Sequence, residues 1–212
     1  MRAPEEKILI DGPAGKIEVV VESPGAPKGI ALVCHPHPLF GGANTNKVAH
    51  SLARTFVALG YCAFRPNFRG VGQSEGVHDE GRGETDDMLA VIEEAKRRCG
   101  DIPVVLAGFS FGGFVQTRVA KRLAEAGHPV QRMVLVGTAA GFVEGTRSYE
   151  TEAVPNDTIV IHGSTDETVP LANVLKWAEP LELPVVVVPG ADHFFHRRLH
   201  VIREIITRSW RH

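Results

Sequence analysis

Short stretches of the chain are apolar almost without a break: residues 29–34 (GIALVC), 61–66 (YCAFRP), 103–108 (PVVLAG), 130–137 (VQRMVLVG), 158–163 (TIVIHG) and 183–190 (LPVVVVPG). Continuous rather than alternating hydrophobicity marks strands buried on both faces, as in a parallel sheet. Residues 16–22 (KIEVVVE) alternate instead, which predicts an antiparallel or half-exposed strand near the start. Amphipathic stretches over residues 46–59, 82–98, 112–126, 171–179 and 195–210 lie between or after these runs and predict helices. Strand and helix alternate from residue 29 onward, so the pattern predicts an α/β fold with a mostly parallel central sheet and helices on both faces.

No internal repeat or low-complexity linker interrupts the pattern, and 212 residues suit one domain spanning residues 1–212. The connection between the runs ending at Gly137 and beginning at Thr158 is long for a loop but too short for a cap domain. An open site is expected. Hydrophobic residues at 43% and charged residues at 23% are ordinary for a globular protein. A net charge of -2, with no Lys/Arg block, argues against nucleic acid as a partner. No 18-residue apolar run suggests a membrane span, and the start MRAPEEKILIDG lacks the apolar core of a signal peptide, so no membrane partner and a cytoplasmic location are expected. Cys34, Cys62 and Cys99 are odd in number and lack a zinc-type spacing, which fits reduced thiols. Oligomeric state is not legible.

The chemistry centres on LAGFSFGG, residues 106–113, where a buried run meets an amphipathic one. Gly108-x-Ser110-x-Gly112 between a strand and a helix has the form of a nucleophile elbow, whose tight turn needs small neighbours and holds the nucleophile in a strained conformation. A serine hydroxyl needs a base, and the base an orienting acid. Both are expected on loops at later strand ends, in the order Ser, acid, His. HGSTDETVP follows one strand and offers Asp166, and GADHFF follows the next and offers His193. Asp157 precedes its strand, Glu167 would need a different loop geometry, and Asp192 suits a turn or cap. His193, His196 and His200 form HxxHxxxH, but no acid or cysteine completes a familiar metal set.

Acyl transfer also requires oxyanion donors. The backbone N–H of Phe111 is one candidate. The loop HPHPLFGG, residues 35–42, offers His37, Leu39 and Phe40, since Pro36 and Pro38 have no N–H. His37 is favoured by its offset from the strand end. Leu39, Phe40, Phe109, Phe111, Phe194 and Phe195 flank the predicted site loops, and Leu39, Phe40, Phe109 and Phe194 are the expected substrate contacts, although any of them could pack the core. In RPNFRGVGQSEG, residues 65–76, Arg69 is expected to anchor the loop to carbonyls or carboxylates, and Ser74 has no elbow context. No dinucleotide or phosphate-loop motif is present, so neither cofactor nor metal is expected.

Together HPHPLFGG with Asn46-Lys47 downstream, RPNFRGVGQSEG, GFSFGG, HGSTDETVP and GADHFF resemble the α/β-hydrolase superfamily over nearly the whole chain. The likeness is to its small, lid-less bacterial members related to dienelactone hydrolases and serine-aminopeptidase-like esterases. It implies an α/β-hydrolase fold without a cap domain, with Ser110 as nucleophile, His193 as base then acid, and Asp166 as its partner. Serine stands where dienelactone hydrolases carry cysteine, which favours an acyl-serine route. The expected function is hydrolysis of small or exposed acyl esters. Thioesters, peptides and peracids would use the same residues, and a binding protein without turnover is the reading from another class.

Overall fold

The computed structural model describes residues 4–143 and 147–210. Its strands are β1 (Glu5–Gly12), β2 (Gly15–Glu22), β3 (Gly29–Cys34), β4 (Tyr61–Pro66), β5 (Val104–Phe109), β6 (Arg132–Val136), β7 (Gly141–Phe142), β8 (Ser148–Tyr149), β9 (Ile159–Gly163) and β10 (Val185–Val188). The helices are α1 (Lys47–Ala58), α2 (Arg82–Cys99), α3 (Phe111–Glu125), α4 (Leu171–Ala178) and α5 (Leu199–Ser209), with 3-10 turns at Pro38–Phe40 and Glu179–Leu181.

The main sheet has the order β1-β2-β4-β3-β5-β6-β9-β10. The strands from β3 onward run parallel, and β2 pairs antiparallel with both β1 and β4. Strand geometry explains the unbroken apolar runs, because successive side chains point to opposite faces and both faces are covered. In β3, Ile30, Leu32 and Cys34 join the core shared with α2, α3 and α4, whereas Ala31 and Val33 join the core shared with α1 and α5. β5 splits the same way: Val104 and Leu106 go to the first core, and Val105, Ala107 and Phe109 to the second.

From β3 the chain moves through α1 to β4 on one side, then returns through α2 to β5 on the other. The loops after β3 and β5 therefore leave adjacent strands at the point where the winding reverses, and a crevice opens there in sheets of this kind. That is what positions the site.

The differences from the sequence reading have physical causes. β1 was not anticipated, because EEKILIDG is mostly exposed and its apolar positions are diluted by charge. The helix expected from residue 195 begins at Leu199, since Phe195 and Arg197 have φ of 51° and 62° and cannot sit in a right-handed helix. The connection after β6 carries the hairpin β7–β8, whose neighbour Val143 is buried in the core. β10 closes one edge of the sheet, and its Val186 and Val187 are exposed rather than buried. Cys62 and Cys99, distant in sequence, are neighbours: burial, and then the adjacent Cys99 thiol, push Cys62 up to about 12. Among the described residues no helix is long and apolar enough to cross a membrane.

Candidate active site

Ser110 occupies the turn from β5 to α3 with φ 56° and ψ −120°, a strained backbone for a residue with a side chain. The flanking glycines permit it by close approach. A Cβ on Gly108 would stand 2.5 Å from the Gly112 backbone, and one on Gly112 would collide with the carbonyl oxygens of Cys34 and His35. The turn is pinned on both sides. Ser110 N–H donates to Val136 O (2.9 Å), and its carbonyl accepts from Gly113, Phe114 and Ala139.

His193, in the loop after β10, sets Nε2 3.0 Å from Ser110 Oγ and Nδ1 2.7 Å from Asp166 Oδ2. A carboxylate only accepts, so Nδ1–H donates to Asp166 and Nε2 is left to accept a hydrogen bond from the Ser110 hydroxyl. Asp166, in the loop after β9, is oriented through its other oxygen, which accepts the N–H groups of Thr168 (2.9 Å) and Val169 (2.8 Å). His162 of β9 adds to this, its Nε2 donating to Val169 O at 2.9 Å and lying 3.4 Å from Asp166 Oδ2. The rival acids are elsewhere. Asp157 lies before β9, where its carbonyl accepts from Arg132, Glu167 is exposed, and Asp192 accepts the N–H and Nδ1–H of His196.

The two backbone donors singled out in the sequence make no hydrogen bond among the described residues. In the loop after β3, Leu39 N–H donates to His37 Nδ1 and Phe40 N–H to His37 O, so both are committed while the His37 N–H is free. Phe111 N–H, at the first position of α3, is likewise without an intrahelical partner, at the positive end of the helix dipole and next to Ser110. The His37 ring packs 4.8 Å from the Phe111 ring, which brings the two segments together.

Of the expected substrate contacts, Leu39, Phe40 and Phe194 are exposed, and Phe109 is not. Its ring is fully buried in the core shared with α1 and α5, 4.8 Å from His193, so Phe109 supports the imidazole from behind and is corrected from a substrate contact to a packing residue. It is the last residue of β5, and strand alternation sends it to the covered face. Phe111 and Phe195 are also buried. Arg69 makes a bidentate pair with Asp87 of α2, at 2.6 and 2.9 Å, and Ser74 Oγ donates to Asn67 O and accepts from Glu18 N–H.

Residues that the sequence reading passed over also reach the site. His78 stands 4.7 Å from the His37 ring and 2.9 Å from Glu84, and the Arg147 guanidinium lies 4.2 Å over the Phe40 ring. No local motif marks them, since they meet only through the loops. Burial, and then the neighbouring His78 and Arg147, lower His37 to about 4. A separate group of donor atoms on Glu5, Glu22 and His50 lies within 4.8 Å, but the buried Arg65 guanidinium already pairs with Glu22 at 2.8 Å.

Residues 32–153 match the family described as the alpha/beta hydrolase fold. The chain belongs to the α/β-hydrolase fold family. A solved α/β serine hydrolase homologue of Coxiella burnetii is 37% identical, with a TM-score of 0.84 and 97% of each chain covered. A lid-less serine hydrolase of Xanthomonas campestris is 34% identical, with a TM-score of 0.86 over 99% of this chain and 94% of its own. A Gallus gallus lysophosphatidylserine lipase is 35% identical over 119 residues, which are 54% of this chain but only 31% of that protein. This α/β hydrolase therefore shares whole-chain architecture with two serine hydrolases, one of them lid-less, and about a third of the length of a lipase.

Proposed function

We propose that this α/β hydrolase is a serine esterase acting through Ser110, His193 and Asp166 on small or exposed acyl esters. One observation carries the reading: a strained serine whose hydroxyl meets an imidazole at 3.0 Å, with a buried carboxylate at 2.7 Å from the other ring nitrogen. His193 Nε2 takes the Ser110 proton as Oγ attacks the ester carbonyl. The oxyanion is met by the N–H groups of Phe111 and His37. His193 then gives the proton to the departing alkoxide, and water, activated by the same nitrogen, releases the acid from the acyl-serine. Asp166 holds the ring in the required tautomer throughout. Leu39, Phe40 and Phe194, exposed beside these groups, support an apolar acyl chain, and the lipase relative is consistent with one.

The test is hydrolysis of p-nitrophenyl esters of graded chain length, with thioester and amide analogues in the same screen. Ser110→Ala is expected to lower kcat by roughly 10^4-fold with the fold unchanged. A fluorophosphonate should label Ser110 in the wild type. Equal turnover in wild type and variant, or an unlabelled Ser110 in folded protein, would refute the reading.

A further inference from the structure

We propose that the face around Ser110 docks onto a lipid surface, and that the esterase draws its acyl substrate from that surface. This rests on the esterase reading and goes beyond it by naming how the substrate is presented. Large apolar side chains stand out of the protein at Leu39 (68% exposed), Phe40 (67%), Val77 (78%), Phe142 (63%) and Phe194 (45%). Each belongs to a segment that follows a parallel strand, after β3, β4, β6 or β10, at the same edge of the sheet as Ser110.

Single exposed apolar residues are ordinary, and a contiguous set is not. Ring contacts and strand pairing bring the segments that carry them together. Phe40 packs 4.9 Å from His37, which packs 4.8 Å from Phe111 beside the nucleophile, and His78, next to Val77, packs 4.7 Å from His37. Arg147 reaches over Phe40 and precedes Ser148, the strand partner of Phe142. Phe194 closes the other side, 5.1 Å from the His193 ring. The segments are also anchored rather than loose: Val143 is buried behind Phe142, whose carbonyl accepts from Asn173 at 2.5 Å.

Leu39, Phe40, Val77 and Phe142, each more than 60% exposed, project from an open rim, where a single bound acyl chain would cover only part of them. Their position decides the occupant. A protein partner or second copy seated on this rim would cover Ser110, whereas a lipid surface covers the same side chains and delivers an ester to it. The Arg147 guanidinium, 4.2 Å over the Phe40 ring, also brings a positive charge to this rim, which suits the anionic headgroups of a lipid surface. That no helix among the described residues is long and apolar enough to cross a membrane bears on insertion across a bilayer and not on contact with its surface.

The test uses Val77→Ser combined with Phe142→Ser, since neither residue belongs to the proposed catalytic or substrate-binding set. Wild type is expected to sediment with vesicles of phosphatidylcholine and phosphatidylglycerol, and to hydrolyse p-nitrophenyl palmitate carried in them. The double variant should lose both by roughly tenfold or more, with unchanged kcat/KM on dissolved p-nitrophenyl acetate. Wild type that stays in the supernatant, or a variant that sediments equally, would overturn the proposal. So would a wild-type dimer that the double variant converts to monomer, which would assign the rim to a second copy. Loss of all ester hydrolysis with vesicle binding intact would refute the esterase reading while leaving the docking surface standing.

Discussion

His35 joins the loop after β3 to the segment after β4 through both ring nitrogens. Its Nδ1–H donates to Pro36 O (2.6 Å), and its Nε2 accepts the Phe68 N–H (3.0 Å). The second bond requires an unprotonated Nε2. Burial lowers this histidine from 6.5 to about 4, the Pro36 carbonyl opposing and the nearby His37 assisting. In the unfolded chain the same ring takes up a proton near its ordinary value. Between those two values the unfolded state therefore binds more protons than the native state, and stability rises with pH across that window. Above about pH 6.5 the ring is neutral in both states and adds no pH dependence. On acidification from about pH 7 to about pH 5, His35 alone is expected to remove about 2 kcal/mol of stability. Urea denaturation of wild type and His35→Gln at the two pH values checks this. The variant should begin less stable at neutral pH but show the smaller loss on acidification, and an equal loss in both would refute the assignment.

The segment after β4 is held against α2 by Arg69 and Asp87, whose side chains are nearly buried and paired through two hydrogen bonds. Burial raises the Asp87 carboxyl and the Arg69 guanidinium pulls it back, so desolvation is the larger influence on the acid. Removing one partner strands a charge, and Arg69→Met is expected to cost about 3–5 kcal/mol. Arg69→Met with Asp87→Leu should cost less than Arg69→Met alone, as a double-mutant cycle followed by thermal unfolding would show. Arg69 was legible as an anchor from its place among tight-turn glycines, but not its partner, which lies in a different element. The same boundary runs through the whole chain. β3, β5, β6 and β9 were legible because both of their faces are buried, and Ser110, Asp166 and His193 because strand ends mark their loops. The late start of α5 was not, because the left-handed backbone at Phe195 and Arg197 has no glycine to announce it. Nor was the burial of Phe109, since an aromatic beside Ser110 reads alike whether it faces solvent or core.

Across the whole molecule, the two ends of the parallel strands carry different work. Ser110, Asp166, His193 and the apolar rim lie in loops at the C-terminal ends, while the opposite edge is closed by packing. There Trp210, just past α5, stacks edge-on against Phe56 (5.1 Å) and Tyr61 (5.8 Å), with the Arg132 guanidinium 5.3 Å from its ring. Tyr61 opens β4 and donates to Gln131, and Arg132 opens β6 and donates to Ser209 O, so one aromatic group ties α1, α5 and two strands together at the end away from Ser110. A stability residue in that position should be separable from turnover. Trp210→Ala opens a large buried volume and is expected to cost about 3–5 kcal/mol. Because no atom of this cluster belongs to the elbow or to the loops after β9 and β10, kcat per folded molecule should be unchanged. Urea unfolding measures the first quantity, and ester turnover normalised to fluorophosphonate-titrated serine measures the second. A fall in kcat at constant titrated serine would mean that the sheet transmits packing changes from one edge to the other, and that the division of labour between its two ends does not hold.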